Sequence, residues 1–228
     1  MMCNLLAWGT VAALLAVPLT APAAMWDLDP AHTSVQFSVR HLMVSNVRGE
    51  FAKTSGSVQA DESDPAHAKI EATIDAASVS TRIEKRDTHL RSPDFLDVAK
   101  YPTITFVSTK IEAAGSGHFK VTGDLTLHGV TRPVVLDVQG PTPEIKDPWG
   151  KTRAGAQATT TINRKDFGLI WNQTLDAGGV AVGDEVAITI DVEATKRVAT
   201  GTNPTSPDVA IAATSARSGS PGTVVGRR

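Results

Sequence analysis

Alternation of apolar and polar residues with a period of two is the feature that most constrains the fold. Val35, Phe37 and Val39 alternate with polar neighbours. The same pattern recurs at residues 70–74, 104–106, 125–127, 134–138 and 186–192. Successive side chains of a strand point to opposite faces, so each segment predicts a strand with one apolar face. Seven or eight such strands must form a closed barrel or a sandwich, because one open sheet would leave an apolar face in water.

Residues 81–98 interrupt the strand pattern and predict a short helical excursion. Thr81 and Glu84 have the spacing of a capping box, which favours a helix that begins there. Ser92 followed by Pro93 predicts the start of a second, shorter helix. The sequence therefore predicts an all-β, antiparallel fold with about eight strands and this single helical region.

The two ends of the chain differ from its centre. Residues 1–23 contain no charged side chain and include an apolar run at residues 11–17 followed by Ala21-Pro22-Ala23, which is typical of a cleaved secretory signal. The run is shorter than the roughly 20 residues of a membrane span. Residues 197–228 are rich in Ser, Thr, Gly, Pro and Ala without apolar periodicity, which predicts a disordered tail. We therefore expect an exported protein with its folded domain at residues 24–196 and no stable membrane span.

Cysteine content and charge exclude several classes of function. Cys3 is the only cysteine and lies within the predicted signal, so the mature chain would lack a disulfide, a cysteine nucleophile and a cysteine-ligated metal. Residues 24–196 carry a net charge of −5, which argues against nucleic acid as a partner.

The histidines do not predict a metal site. None of them forms a pair with helical i, i+4 spacing or a known ligand motif with a carboxylate. They are His32, His41, His67, His89, His118 and His128. We therefore expect structural or surface histidines and no bound metal.

Arg86, Asp87 and His89 form the most enzyme-like cluster, because an acid beside an imidazole can tune a general base. Successive positions on a helix point in different directions, however. We interpret the cluster as the means by which the helix docks on the rim of the barrel. A catalytic role for Asp87 and His89 stays open as the alternative.

Five segments stand out along residues 26–194: HTSVQFSVRH (32–41), RDTHLRSPDF (86–95), YPTITF (101–106), GDLTLHGVTRP (123–133) and NRKDFG (163–168). In sequence and in order they resemble the motifs of the YceI family of polyisoprenoid-binding periplasmic proteins. The resemblance implies a lipocalin-like barrel that encloses an isoprenoid chain in the periplasm, and it favours a barrel over a sandwich. It implies binding rather than catalysis.

The resemblance also implies a ligand cavity, and the alternation assigns its wall to one face of each strand. The expected lining residues are Val35, Phe37, Val39, Ile104, Phe106, Leu125, Leu127 and Ile188. Trp171 is a further candidate, at the mouth of the cavity, and a plain packing role stays open as its alternative. Arg86, Asp87 and His89 are candidates for contact with a lipid head group.

The expected function is binding, storage or transport of a long-chain isoprenoid or similar amphiphile, such as a prenyl phosphate, an isoprenoid quinone or a fatty amide. We expect no cofactor apart from this lipid. Two alternatives remain open at this point: a hydrolase or isomerase that acts on such a lipid, and a structural barrel with a filled core. The sequence leaves the oligomeric state open, a homodimer included.

Overall fold

The computed structural model describes residues 23–61, 64–176 and 178–198. The predicted signal before residue 23 and the predicted tail after residue 198 therefore lie outside the described residues. Twelve strands, one α-helix and two short 3-10 helices are seen in the described part. The strands are β1 (Ala24–Leu28), β2 (Ser34–His41), β3 (Ser45–Phe51), β4 (Thr54–Asp61), β5 (Asp64–Asp75), β6 (Val79–Ser80), β7 (Thr103–Ala113), β8 (His118–Leu127), β9 (Val130–Gln139), β10 (Ile145–Lys146), β11 (Thr152–Asn163) and β12 (Val182–Lys196). The helix α1 is Glu84–Arg91, and the 3-10 helices are Ala76–Ser78 and Arg164–Phe167.

Eight strands close into an antiparallel barrel in the order β1, β4, β5, β7, β8, β9, β11, β12. The ring closes because β12 pairs with β1 on one side and with β11 on the other. Strands β2, β3 and β6 extend the barrel wall at one edge. Strand β2 pairs with the part of β12 that precedes its pairing with β1, and β3 pairs with both β2 and β6. The all-β fold, the antiparallel barrel and the number of strands are thus confirmed.

One end of the barrel, here called the helix end, carries α1, the β2–β3 hairpin and residues 164–176 and 178–181. The opposite end, here called the distal end, carries β10 and the turn at residues 114–117. Every long strand runs from one end to the other, as β8 does from His118 at the distal end to Leu127 at the helix end. No helix in the described part of the chain is long and apolar enough to cross a bilayer.

The helical region is shorter than the sequence predicts. Helix α1 begins after Ile83, which makes no side-chain capping bond, so the expected capping box of Thr81 with Glu84 is wrong. The Thr81 hydroxyl donates to Asp87 in the next turn instead. The second helix expected from Ser92 is also wrong, because the Leu96 N–H bonds back to the Leu90 carbonyl at 2.9 Å and folds residues 92–97 into turns.

Apolar side chains form two clusters inside the barrel. The larger lies toward the helix end and consists of Ala76, Val79, Leu96, Ile104, Leu127, Ile162, Phe167 and Leu169. The smaller consists of Phe106, Ile111 and Val121. Several inward side chains beside them, including Leu125, Val186 and Ile188, are only partly buried although they face the interior. Such exposure on an inner face indicates that the barrel is not filled.

Candidate functional site: an apolar cavity in the barrel

An apolar cavity of about 450 Å³ occupies the interior of the barrel. This volume lies within the range of roughly 300–1,000 Å³ that is typical of small-molecule sites. The structure places all nine predicted residues in the wall: Val35, Phe37, Val39, Ile104, Phe106, Leu125, Leu127, Ile188 and Trp171. Their arrangement around one cavity follows from closure of the sheet, which turns one face of every strand inward.

The sequence reasoning missed the part of the wall that β11 contributes. Ala156, Ala158, Thr160 and Ile162 line the cavity from that strand. These inward residues do alternate with outward ones, but alanine and threonine are small or polar. The alternation of apolar and polar residues is therefore weak in β11, and it did not predict this strand as part of the wall. Small side chains on this strand leave room in the lumen.

Two of the phenylalanines in the wall, Phe37 and Phe106, do not fill the cavity, because each packs against a glycine. A Cβ on Gly49 would lie 2.4 Å from Cζ of Phe37, and a Cβ on Gly123 would lie 2.4 Å from Cζ of Phe106. Both distances are far below van der Waals contact, so each ring occupies the space that a side chain would take. The rings therefore lie along the wall.

Thr54 differs from the other polar residues of the wall in one respect: its buried hydroxyl oxygen makes no hydrogen bond to any described residue. The residue lies at the start of β4 and is 7% exposed. A buried hydroxyl without a partner costs free energy, so this group is available to bond a polar atom of a ligand.

The ionisable residues of the wall are all basic and all lie at the helix end. They are Arg40, His41, Arg86, His89 and Arg164, and no acidic side chain lines the described cavity. Arg164 is buried and donates to the carbonyl groups of Gly183 and Leu169. Burial lowers the pKa of Arg164, and the nearby Asp184 carboxylate partly opposes this.

Arg86 joins the cavity to the base of α1. Its Nε donates to the Thr81 hydroxyl oxygen at 2.7 Å and its Nη2 donates to the Thr81 carbonyl at 3.0 Å. Asp87 is 4% exposed and accepts from the Thr81 N–H at 2.8 Å, and it is not part of the cavity wall. The expected docking role therefore fits Asp87, whereas a head-group contact does not.

His89 belongs to an aromatic cluster at the mouth of the cavity. Its ring meets Phe95 and Trp171 edge-on, with ring centres 5.0 Å apart in both pairs. Its Nε2 lies 2.8 Å from Asp94 Oδ2. The acid–imidazole pair of Asp87 with His89 is thus not formed, because Asp94 takes the place that the sequence reasoning gave to Asp87.

One group of potential metal ligands lies apart from the cavity. Side-chain ligand atoms of Asp29, His32 and Glu193 lie within 4.8 Å of one another. The guanidinium of Arg153 contacts both carboxylates and also pairs with Asp147 at 2.6 Å. Arg153 holds the pKa of Asp29 well below its usual range, mainly through a hydrogen bond. Arg153 already supplies the positive charge that a metal ion would bring to these carboxylates, so we interpret the site as a cluster of ion pairs.

The chain is similar in sequence to a known family and its members. The model of the YceI-like domain matches residues 26–194. A UPF0312 protein of Vibrio cholerae serotype O1 is 40% identical over 165 residues, which cover 70% of this chain and 85% of that protein.

Solved structures have the same barrel. The crystal structure of Burkholderia cenocepacia BcnA superposes with a TM-score of 0.63 at 26% identity and covers 73% of this chain and 98% of BcnA. A polyisoprenoid binding domain from Saccharophagus degradans superposes with a TM-score of 0.56 over 78% of this chain and 100% of that domain. At 18% identity, this second likeness concerns the fold alone.

Proposed function

The chain belongs to the YceI-like family, and from that premise we propose that it binds the apolar chain of an isoprenoid-type lipid in the interior of its barrel. The observation that carries the proposal is the apolar cavity of about 450 Å³. A linear hydrocarbon needs no hydrogen-bond partners, and each buried methylene contributes about 0.8 kcal/mol. Burial of a long chain therefore offsets the cost of ordering it. A wall of this kind selects for the length and girth of the chain.

The polar head group of the lipid lies at the helix end in this proposal. The ionisable wall residues there are basic, which favours an acidic head group such as that of a prenyl phosphate over a quinone or a fatty amide. Arg86 and His89 are the residues best placed to contact it, since both line the cavity and are partly exposed. Trp171 packs on His89 and would hold its ring in place.

Binding and carriage, rather than catalysis, is the role we propose. Asp94 rather than Asp87 is the carboxylate next to His89, and both members of that pair are exposed. Reactive acid–base pairs are more often shielded from water, which strengthens electrostatic interactions between them. The charge-free segment at residues 1–23 supports export, and we propose the periplasm as the place of action.

Native mass spectrometry of the purified protein tests the proposal. We expect one lipid adduct, and organic extraction should release an isoprenoid-type molecule. A protein that carries no adduct, and gains none when offered prenyl phosphates, would contradict lipid binding.

A paired ligand test addresses the head group. We expect a prenyl phosphate to be retained in preference to the uncharged prenol of equal length. Arg86→Gln should weaken retention of the phosphate and leave that of the prenol unchanged. Equal retention of both lipids by the unmodified protein would contradict an acidic head group.

A further inference from the structure

Large apolar side chains are exposed to water around the mouth of the cavity. At the tip of the β2–β3 hairpin, Met43 is 50% exposed and Val44 is 75% exposed, with Leu42 beside them at 39%. Ile83, directly before α1, is 52% exposed, and Ile170 is 72% exposed. Exposed apolar groups collected at one site indicate an interaction surface.

Contacts between the segments that carry these side chains hold them at the same end of the barrel. The Leu42 N–H donates to the Ala181 carbonyl at 2.8 Å, which ties the hairpin tip to the segment that carries Ile170. Trp171, next to Ile170, packs on His89 of α1. We call the set of residues 42–44, Ile83 and Ile170 the apolar rim.

Backbone strain supports a functional reason for this exposure. Leu42 has a φ of 48° and Met43 a φ of 61°, values that bulky residues rarely adopt and that hairpin turns usually assign to Asn, Asp or Gly. Arg82, next to Ile83, has a φ of 64°. Strained backbone positions cluster at ligand clamps and binding sites, where the contact that the side chain makes with the ligand outweighs the energetic cost of the strain. Two parts of the apolar rim are thus carried by strained turns.

The charge around the apolar rim differs from that of the rest of the barrel. The segments that carry it, residues 40–48, 81–86 and 168–181, contain five Lys or Arg and two acidic residues. Residues 24–196 as a whole carry −5. The basic residues are Arg40, Arg48, Arg82, Lys85 and Arg86. Basic side chains that flank exposed apolar ones match the surface of an anionic bilayer, where the apolar groups enter the interface and the cations meet phosphates.

We propose that the apolar rim docks on an anionic phospholipid bilayer and sets the mouth of the cavity against the membrane surface. The inference rests on the proposed lipid binding and adds the route by which the lipid enters. Arg40 and Arg86 lie in the rim segments, and both line the cavity together with His89 of α1. Docking of the rim therefore places the mouth of the cavity next to the lipid head groups. A hydrocarbon chain then passes between bilayer and barrel without crossing water, which lowers the hydrophobic cost of transfer.

The distal end provides a matched control. Ile145 is 62% exposed there, at the far end of the barrel from the apolar rim. If the protein docks through the apolar rim, a charge introduced at Ile145 should have no effect on membrane binding.

Flotation of the protein without the predicted signal at residues 1–23, with vesicles of phosphatidylglycerol and phosphatidylethanolamine, tests the proposal. Met43→Asp places a charge in the apolar rim, and Asp tolerates a positive φ, so the variant should keep the fold. We expect Met43→Asp to reduce the vesicle-bound fraction several-fold and Ile145→Asp to leave it unchanged. Unmodified protein should bind vesicles of phosphatidylcholine alone more weakly and lose binding at high salt.

Parallel native mass spectrometry separates this inference from the proposed function. Protein that carries its lipid but does not bind vesicles overturns docking and leaves lipid binding intact, whereas protein that carries and acquires no lipid contradicts the proposed function itself. Loss of vesicle binding through Ile145→Asp alone would overturn the rim as the docking surface. A dimer that Met43→Asp splits, without vesicle binding by the unmodified protein, would assign the rim to contact between two copies of the chain.

Discussion

Phe106 packs against Gly123 of the neighbouring strand, in the space that a side chain at residue 123 would occupy. A Cβ on Gly123 would lie 2.4 Å from Cζ of Phe106 and 2.6 Å from the Val107 carbonyl oxygen. An aromatic ring that covers a strand glycine fills the gap left by the missing side chain. This pairing explains how a barrel with inward phenylalanines keeps an open lumen.

Gly123→Ala should therefore close part of the cavity. The new methyl group meets both the ring and a backbone oxygen, so the Phe106 ring must turn into the lumen. We expect the free energy of unfolding to fall by about 1–3 kcal/mol, and lipid retention to decrease. Denaturant unfolding and native mass spectrometry measure the two effects. Gly155→Ala is the control, since its nearest contact would be 3.2 Å away; equal effects of the two variants would contradict the role given to Gly123.

The unpartnered hydroxyl of Thr54 leads to a prediction with a definite sign. Thr54→Val replaces the buried hydroxyl by a methyl group and nearly keeps the shape of the side chain. The free energy of unfolding of the lipid-free protein should therefore rise by about 1 kcal/mol. Lower lipid retention by the same variant would mean that the hydroxyl bonds the ligand. Thermal unfolding of delipidated protein measures the first effect. A less stable Thr54→Val would show that the hydroxyl is satisfied in solution.

Asp87 should matter for stability rather than for chemistry. Its carboxylate accepts bonds from the Thr81 N–H and hydroxyl while almost fully buried. Asp87→Ala leaves both donors without a partner and should lower the free energy of unfolding by about 2–3 kcal/mol. Asp94→Asn, on an exposed partner of His89, should cost under about 1 kcal/mol. A larger loss in the free energy of unfolding for Asp94→Asn than for Asp87→Ala, measured by chemical denaturation, would contradict the docking role of Asp87.

The Arg153 cluster predicts a dependence of stability on pH. Arg153 holds the pKa of Asp29, and less strongly that of Asp147, below the usual value near 3.9. A lowered folded-state pKa stabilises the protein above the unfolded-state pKa, and this stabilisation is lost as the pH falls toward the folded-state value. Arg153→Gln should thus lower the Tm at pH 7, with a gap to the unmodified protein that narrows below about pH 4.

A control makes the pH prediction specific. Lys110 pairs with Glu112 on the surface, and both side chains are more than half exposed. Lys110→Gln should change the Tm little at either pH, because exposed pairs contribute little. A difference in Tm between Arg153→Gln and the unmodified protein that stays constant from pH 7 to pH 3 would contradict the coupling of Arg153 to the carboxylates.

The sequence predicted those parts of the molecule in which a local pattern survives folding. Alternation at Val35, Phe37 and Val39 places these side chains on one face, and a closed sheet can turn only one face inward. Trp171 also lines the cavity. Local patterns thus sufficed for the barrel and for most of its wall.

Other features depend on contacts between distant parts of the chain. Thr81 follows no capping rule, because the buried Asp87 competes for its hydroxyl. Arg153 meets Asp29 across 124 residues of sequence, and the rim joins Leu42 to Ala181. No spacing rule predicts such pairs, since closure of the barrel brings them together.

The proposed lipid site makes its sharpest prediction at Phe106, which is 9% exposed and lines the cavity. Phe106→Asp places an unpaired carboxylate in an apolar interior, which costs several kcal/mol and draws in water. We expect this variant to lose its lipid adduct in native mass spectrometry. Thr105→Asp is the matched control, because Thr105 lies on the outer face between Thr73 and Thr126, without an acidic cross-strand neighbour. It should retain the lipid. Retention by a folded Phe106→Asp, or equal loss in both variants, would place the lipid outside the barrel and contradict the assigned cavity.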